Sequence, residues 1–167
     1  LACLKRRKLL AKLMELSYKD ALTGIGNRFA MTNYIRQMDR KQSVAVVYCD
    51  VTGLKQVNDT QGHEAGDTLI RNACESLKQV FDGYGLFRTG GDELMVICPN
   101  ITHAIADDWV AQLKKTMKDY SVNLAVGMVW LEEMGVSLER SVMEAEKRMY
   151  EDKAEYYKTS GIERRKI

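Results

Sequence analysis

Proline occurs once in 167 residues and no low-complexity tract interrupts the chain, which leaves little room for a linker between domains. No apolar run approaches the roughly 20 residues that a membrane-spanning helix needs. The cysteines, at 3, 49, 74 and 98, form no C-x-x-C pair, so the usual zinc and dithiol signatures are missing. Cys49 and Cys98 each end an apolar run; such thiols read as buried and free, and favour a reducing, cytoplasmic compartment. A dominant charge is also lacking. The 25 basic and 23 acidic residues leave a net charge of +2, too little to argue for nucleic acid as partner but compatible with a phosphorylated small molecule.

What is present suffices for one domain with a full-sized core, since 46% of the 167 residues are hydrophobic. The chain starts at Leu1 rather than Met, which reads as a piece of a longer protein. Leu1-Ala2-Cys3-Leu4 before Lys5-Arg6-Arg7-Lys8 reads as the stub of a transmembrane helix with its basic flank, or as a basic, solvated first helical turn; the second reading takes the larger share. Leu9, Leu13 and Leu16, widened by Leu10 and Met14, form an amphipathic stripe. It either pairs two copies as a short coiled coil or packs on its own domain. Residues 1–19 are accordingly expected to be a helix leading from an upstream region, and 20–167 the folded domain.

After a turn-rich loop at 20–28, the pattern predicts a helix near 27–39 and a strand at Val44–Tyr48, apolar on both faces and so interior to a sheet. A Gly-, Asn- and Asp-rich loop, a helix from about His63 to Val80 and a β-hairpin follow, with Leu86-Phe87 and Leu94–Cys98 as its arms. A helix at 102–118 with Ile105, Trp109 and Leu113 on one stripe, a strand at Val122–Trp130 and a helix at 137–157 complete the order. The expected class is α+β, a mainly antiparallel sheet flanked by helices on the ferredoxin-like, palm-type βαββαβ plan.

The hairpin turn carries Arg88-Thr89-Gly90-Gly91-Asp92-Glu93-Leu94. Its glycines are expected to supply the positive φ of a tight turn. Its adjacent acids suit divalent-metal and phosphate chemistry, although alone they read equally well as a solvated turn. The strand beside it ends in Asp50, so Asp50, Asp92 and Glu93 are candidates to converge on Mg²⁺ through hard oxygen ligands. Beyond Asp50, Gly53 permits close backbone approach to a phosphate and Lys55 neutralises one. Asn58 and Asp67 flank the next helix, where a carboxylate accepts the N1–H and N2 amine of guanine. Singly, each of these residues reads more readily as capping or turn chemistry.

In combination, the chain resembles the GGDEF family of diguanylate cyclases from Asp20 to about Tyr157. The D-x-L-T-G-x-x-N-R block is met by Asp20, Leu22, Thr23, Gly24, Asn27 and Arg28. The long D-x-x-x-[FL]-K-x-[VI]-N-D-x-x-G-H-x-x-G-D block is met by Asp50, Leu54, Lys55, Val57, Asn58, Asp59, Gly62, His63, Gly66 and Asp67. The R-x-G-G-D-E-F block is met through Glu93, and Y-x-x-K by Tyr150 and Lys153.

The resemblance implies condensation of two GTP into cyclic di-GMP and two pyrophosphates across a homodimer, with an upstream sensory domain and no nucleic acid. It assigns two Mg²⁺ (or Mn²⁺) to Asp50, Asp92, Glu93 and the carbonyl of Val51, with Glu93 also activating the 3′-hydroxyl. It places Lys55 and Lys153 on the β/γ-phosphates, with Gly53 and Leu54 in the same loop. Asn58 and Asp67 take guanine, and Gly90 and Gly91 form the floor under the substrate. His63 is assigned a packing and capping role. The domain is expected in the cytoplasm, with any inner-membrane anchor upstream.

Four departures stand out. Leu94 replaces the usual Phe, Thr52 replaces an acidic or amide residue, and Tyr157 replaces an Arg, with Lys158 nearby as partial compensation. The R-x-x-D positions of product inhibition read Phe81-Asp82-Gly83-Tyr84, which predicts no feedback there. The alternative within the family is a weak or degenerate domain that acts as a GTP-binding or docking module. A cyclase making a mixed guanine–adenine product is disfavoured by Asp67, and a generic nucleotidyl-transferase palm by the Gly-Gly-Asp-Glu turn.

Overall fold

β-branched residues favour extended backbone, and where both faces of a strand are apolar it must be covered twice. Val44–Val51 (β2) does this, with all eight residues buried. In the computed structural model, which describes residues 4–7, 9, 13, 17–135 and 138–160, β2 lies inside a five-stranded sheet. The other strands are Gly26–Asn27 (β1), Gly85–Arg88 (β3), Glu93–Pro99 (β4) and Leu124–Leu131 (β5), in the order β1-β3-β4-β2-β5. All neighbours are antiparallel except β1 with β3. The plan is therefore the expected α+β palm with one parallel edge pair added.

Helices cover both faces. Leu54–Gln61 (α2) and His63–Val80 (α3) follow β2, with Arg28–Gln37 (α1) before it, and His103–Asp119 (α4) and Leu138–Ser160 (α5) bracket β5. Odd-numbered β2 residues such as Val47 and Cys49 meet Leu77 of α3 and Leu113 of α4 in one core. Even-numbered Val46 and Tyr48 meet Ala145 and Met149 of α5, with α1 at the margin, in the other. The helix predicted at 27–39 begins after Asn27, whose Oδ1 caps it by accepting the Ala30 N–H at 2.9 Å. On α4 the buried positions are Ala106, Leu113, Thr116 and Met117, while Ile105 of the predicted stripe is exposed.

Two elements escaped the pattern. The Gly/Asn/Asp-rich segment expected as loop contains α2, delimited by Gly53 and Gly62 at φ 79° and 88°. Its polar composition hides a helix held by its packing on α3. β1, two residues long, is too short for any periodicity to register.

Cys49 and Cys98 are buried free thiols as expected, and Cys74 is one as well; burial pushes Cys74 up to about 11 and Cys98 to about 12. Cys3 lies outside the described residues. Of the leading stripe, Leu9 and Leu13 are helical and exposed, whereas Leu10, Met14 and Leu16 lie outside the described residues.

Candidate active site

Antiparallel pairing places directly opposed side chains on the same face of a sheet. Asp50 of β2 stands opposite Glu93 of β4, so the ladder itself puts these carboxylates side by side, on the face that α5 covers. Beyond the ladder, the Val51 N–H donates to the Asp92 carbonyl at 2.9 Å, which holds the Asp92 backbone against the end of β2.

α5 brings the cation. A Cβ at Gly127 of β5 would collide with the Ala145 carbonyl and the Met149 nitrogen, so only glycine lets α5 lie this close. The Val126 N–H donates to Asp152 Oδ2 at 2.8 Å, and Arg148 Nη1 donates to the Met128 carbonyl at 2.8 Å. With α5 fixed in this way, Lys153 reaches Asp50 Oδ2 at 2.7 Å, both side chains being nearly enclosed at 17% and 6% exposure. The other oxygen, Asp50 Oδ1, is buried without a hydrogen-bond partner. Burial pushes the Asp50 pKa above its ordinary value, and the charges of Asp92 and Glu93 add to the rise while Lys153 opposes it. Tyr48, on the same face, is pushed up by burial and by the Glu93 charge.

The hairpin turn differs from expectation. Neither Gly90 nor Gly91 has positive φ. Gly90 instead allows a close approach, because a Cβ there would displace the Glu93 carboxylate; Gly91 faces open space. The turn is anchored by Arg88, which sequence reasoning did not count among the site residues. Arg88 donates to the Gly91 carbonyl through Nε at 3.2 Å and Nη2 at 2.7 Å. It also pairs with Asp20, Nη1 to Oδ1 at 3.1 Å. The signal was there, since both residues fall in matched blocks, but nothing in one dimension links positions 68 apart.

The other predicted residues ride on the helical pair. Gly53, at φ 79°, has open space where a Cβ would stand and begins α2. Leu54 is half-buried in the first turn and Lys55 is exposed. Asn58 lies against the backbone of Gly66 on α3, where a Cβ would meet its Oδ1; Asp67, the next residue, is half-buried. His63 departs from its packing role, because it is exposed at the start of α3, whose N-cap is Gly62.

Among the departures, Leu94 is fully buried. Thr52 is a backbone anchor, its N–H and Oγ1 both donating to the Asn123 carbonyl at 3.0 Å. Tyr157 stands edge-on to Tyr156 at 5.5 Å, and Lys158 lies on the surface 3.9 Å from Glu155. A cavity of about 270 Å³ lies elsewhere, lined by Lys19, Ile25, Lys78, Phe81, Tyr84 and Leu86 among others, none of them a predicted site residue.

A hard divalent cation requires oxygen ligands. The orphaned Asp50 Oδ1, with Asp92 and Glu93 near enough to raise its pKa, has that chemistry and fits such an ion. Among the described residues, however, no three His, Cys, Asp or Glu are grouped so that they could hold a metal ion. The positive charge now beside Asp50 is Lys153.

A sequence model of the family described as "Diguanylate cyclase, GGDEF domain" matches residues 17–158. The chain belongs to the GGDEF family. Its fold superposes on the coiled-coil and GGDEF domain of DgcB from Caulobacter crescentus, solved with c-di-GMP, at a TM-score of 0.79 and 20% identity over 92% of this chain and 90% of that one. It also matches the diguanylate cyclase SiaD of Pseudomonas aeruginosa, solved with its activator SiaC, at a TM-score of 0.75 and 24% identity over 92% and 65% of the two chains. At these identities the likeness shows the fold. An uncharacterised membrane protein of Staphylococcus aureus is 36% identical over 87 residues, 48% of this chain and 24% of that protein. The matched region thus spans about a quarter of that relative. No helix among the described residues is long and apolar enough to cross a membrane.

Proposed function

We propose that this GGDEF domain is an active diguanylate cyclase, converting two GTP into cyclic di-GMP and two pyrophosphates in a homodimer. The observation that carries the reading is the buried, half-unsatisfied Asp50 carboxylate beside Asp92 and Glu93 at the end of β2. An acid so placed is unfavourable for folding, which is typical of a site kept for chemistry. In each half-reaction a ribose 3′-oxygen forms a bond to the α-phosphorus of the facing nucleotide. The α–β bridging P–O bond breaks, pyrophosphate leaves, and the hydroxyl proton passes to Glu93, which activates the 3′-oxygen.

Asp50, Asp92, Glu93 and the Val51 carbonyl would hold two Mg²⁺ or Mn²⁺ ions, which supply Lewis-acid stabilisation of the attacking and leaving oxygens. Glu93, folded over Gly90, orients the 3′-hydroxyl. Lys55 and Lys153 neutralise the β/γ-phosphates, Gly53 and Leu54 cradle them, and Asn58 with Asp67 reads guanine. Gly90 and Gly91 keep the turn low beneath the substrate. Most of the acceleration then comes from positioning and charge neutralisation.

Residues 1–19 act as the link to an upstream sensor, with 20–167 as the catalytic unit in the cytoplasm and any membrane anchor upstream. The turn at Phe81-Asp82-Gly83-Tyr84 lacks both charged partners of R-x-x-D, so no product inhibition acts there.

Incubation with GTP and Mg²⁺ at high protein concentration, followed by product analysis, tests the reading. Cyclic di-GMP is expected. Product only after fusion to a dimerising coiled coil would locate a defect in association. None in either case would leave the domain as a GTP-responsive or docking module, a reading that the loss of an Arg at Tyr157 favours.

A further inference from the structure

We propose that Lys153 is a placeholder cation: it occupies Asp50 while the metal site is empty and transfers to the nucleotide phosphates when a divalent cation takes its place. The inference rests on the cyclase reading and goes beyond it in coupling metal binding to nucleotide binding.

Asp50 lies at the end of a fully buried strand, with its side chain 6% exposed and Lys153 Nζ at 2.7 Å from Oδ2. A buried carboxylate without a partner is strongly unfavourable, and here two further acids crowd it. Lys153 is the cation seated on it. α5 is pinned next to this residue through Asp152 and the Gly127 contact, so the ammonium needs only a side-chain rotation to change partners. Asp50 Oδ1 remains open, which gives an incoming cation a first ligand.

Lysine and a divalent cation repel each other at one carboxylate, so cation binding without nucleotide works against Lys153. A triphosphate gives the displaced ammonium a new anion. Linkage then requires each ligand to strengthen the other, by a factor in the usual range of about 5- to 150-fold.

The test is Mn²⁺ affinity, read by electron paramagnetic resonance or calorimetry, with and without a non-hydrolysable GTP analogue. Wild-type protein should bind Mn²⁺ weakly alone and at least about fivefold more tightly with the analogue. Lys153→Met should bind Mn²⁺ more tightly than wild type when nucleotide is absent, and should lose most of the enhancement. Lys153→Arg, which keeps the charge, should retain weak binding without nucleotide. Thermal unfolding of each variant without metal confirms that it is folded, and Lys153→Gln replaces Met if it is not.

A lysine that only grips phosphate would leave nucleotide-free Mn²⁺ affinity unchanged in Lys153→Met, and that result overturns the placeholder role while the cyclase reading stands. Absence of Mn²⁺ binding in every variant, with or without nucleotide, overturns both.

Discussion

The proposed site has two halves built on different principles. The sheet half (Asp50, Asp92, Glu93 and Lys153) is set by strand register, a turn anchored by Arg88 and a helix pinned to β5. Its Asp50 and Lys153 are enclosed, and its charges act strongly on one another. The helical half (Lys55, Asn58 and Asp67) sits on the α2–α3 pair with exposed or half-buried side chains. The difference teaches where chemistry and selectivity can each be altered. Electrostatics are strong where water is excluded and weak where it is not, so the sheet half ties catalysis to stability, and the helical half can change specificity with little effect on the fold.

The largest effect should come from Asp50→Asn. Losing the anionic oxygen should lower turnover by about 10²–10³-fold, comparable to removing a transition-state contact. Because burial raises the Asp50 pKa, the ionised form is a net cost to the folded state. The melting temperature should therefore hold or rise, provided that the nearly enclosed Lys153 reaches water once its carboxylate partner is gone. A variant that loses both turnover and stability would show that the buried ion pair stabilises the fold, and that Asp50 is not an acid kept at a cost to folding.

Next is Gly127→Ala. The added methyl meets backbone atoms of α5 rather than a flexible side-chain end, so α5 must shift. Overpacking of this kind costs about 1–3 kcal/mol, measurable by denaturant unfolding, and it should also move Lys153 off Asp50. The equivalent change in the helical half, Gly66→Ala, meets the side-chain amide of Asn58 and Leu54 Cδ1 rather than backbone, and side chains can shift. Gly127→Ala should therefore be the more destabilising of the two.

Asp67→Asn tests the helical half directly. A carboxylate accepts both the N1–H and the N2 amine of guanine, whereas an amide offers a single acceptor oxygen. Preference for GTP over ITP, which lacks that amine, should fall by about tenfold, near 1.4 kcal/mol. Stability should stay within about 0.5 kcal/mol of wild type, as for other surface changes. A larger loss of stability would mean that Asp67 supports the α2–α3 packing rather than the base.

These halves were unequally legible in the sequence. β2 declared itself by its unbroken apolar run, and once β2 and the hairpin were placed, the meeting of Asp50 with Glu93 followed from pairing alone. α2 was hidden because its residues are polar and its support is a glycine on another helix. The glycines of the turn were recognised, but for the wrong reason: Gly90 makes room for the Glu93 carboxylate, a contact that composition does not encode. Lys153 was identified as a phosphate ligand, yet its pairing with Asp50 spans 103 positions and depends on how closely α5 lies on β5. Arg88 and Asp20 were both visible as motif residues. Their bond was not, because it joins a loop before the first strand to the last residue of the third.

That bond gives the mildest prediction, and it asks how far the sheet half extends. Burial alone would raise the Asp20 pKa, but the hydrogen bonds from Thr23 and Arg88 outweigh it and hold the carboxyl below its ordinary value. A depressed native pKa contributes stability that is fully present above the unfolded-state value, near 3.9, and is lost as pH falls through the folded one. Asp20→Asn should therefore cost about 1 kcal/mol at pH 7, and the gap from wild type should shrink as the pH drops below about 4. Denaturant titrations at both pH values read this directly. A gap that persists in acid would mean that Asn fails through geometry rather than charge, because the amide cannot satisfy Thr23 and Arg88 together. A gap that closes would show that an ion pair fixes the Arg88 side of the turn, extending the charge coupling of the sheet half to the loop before β1.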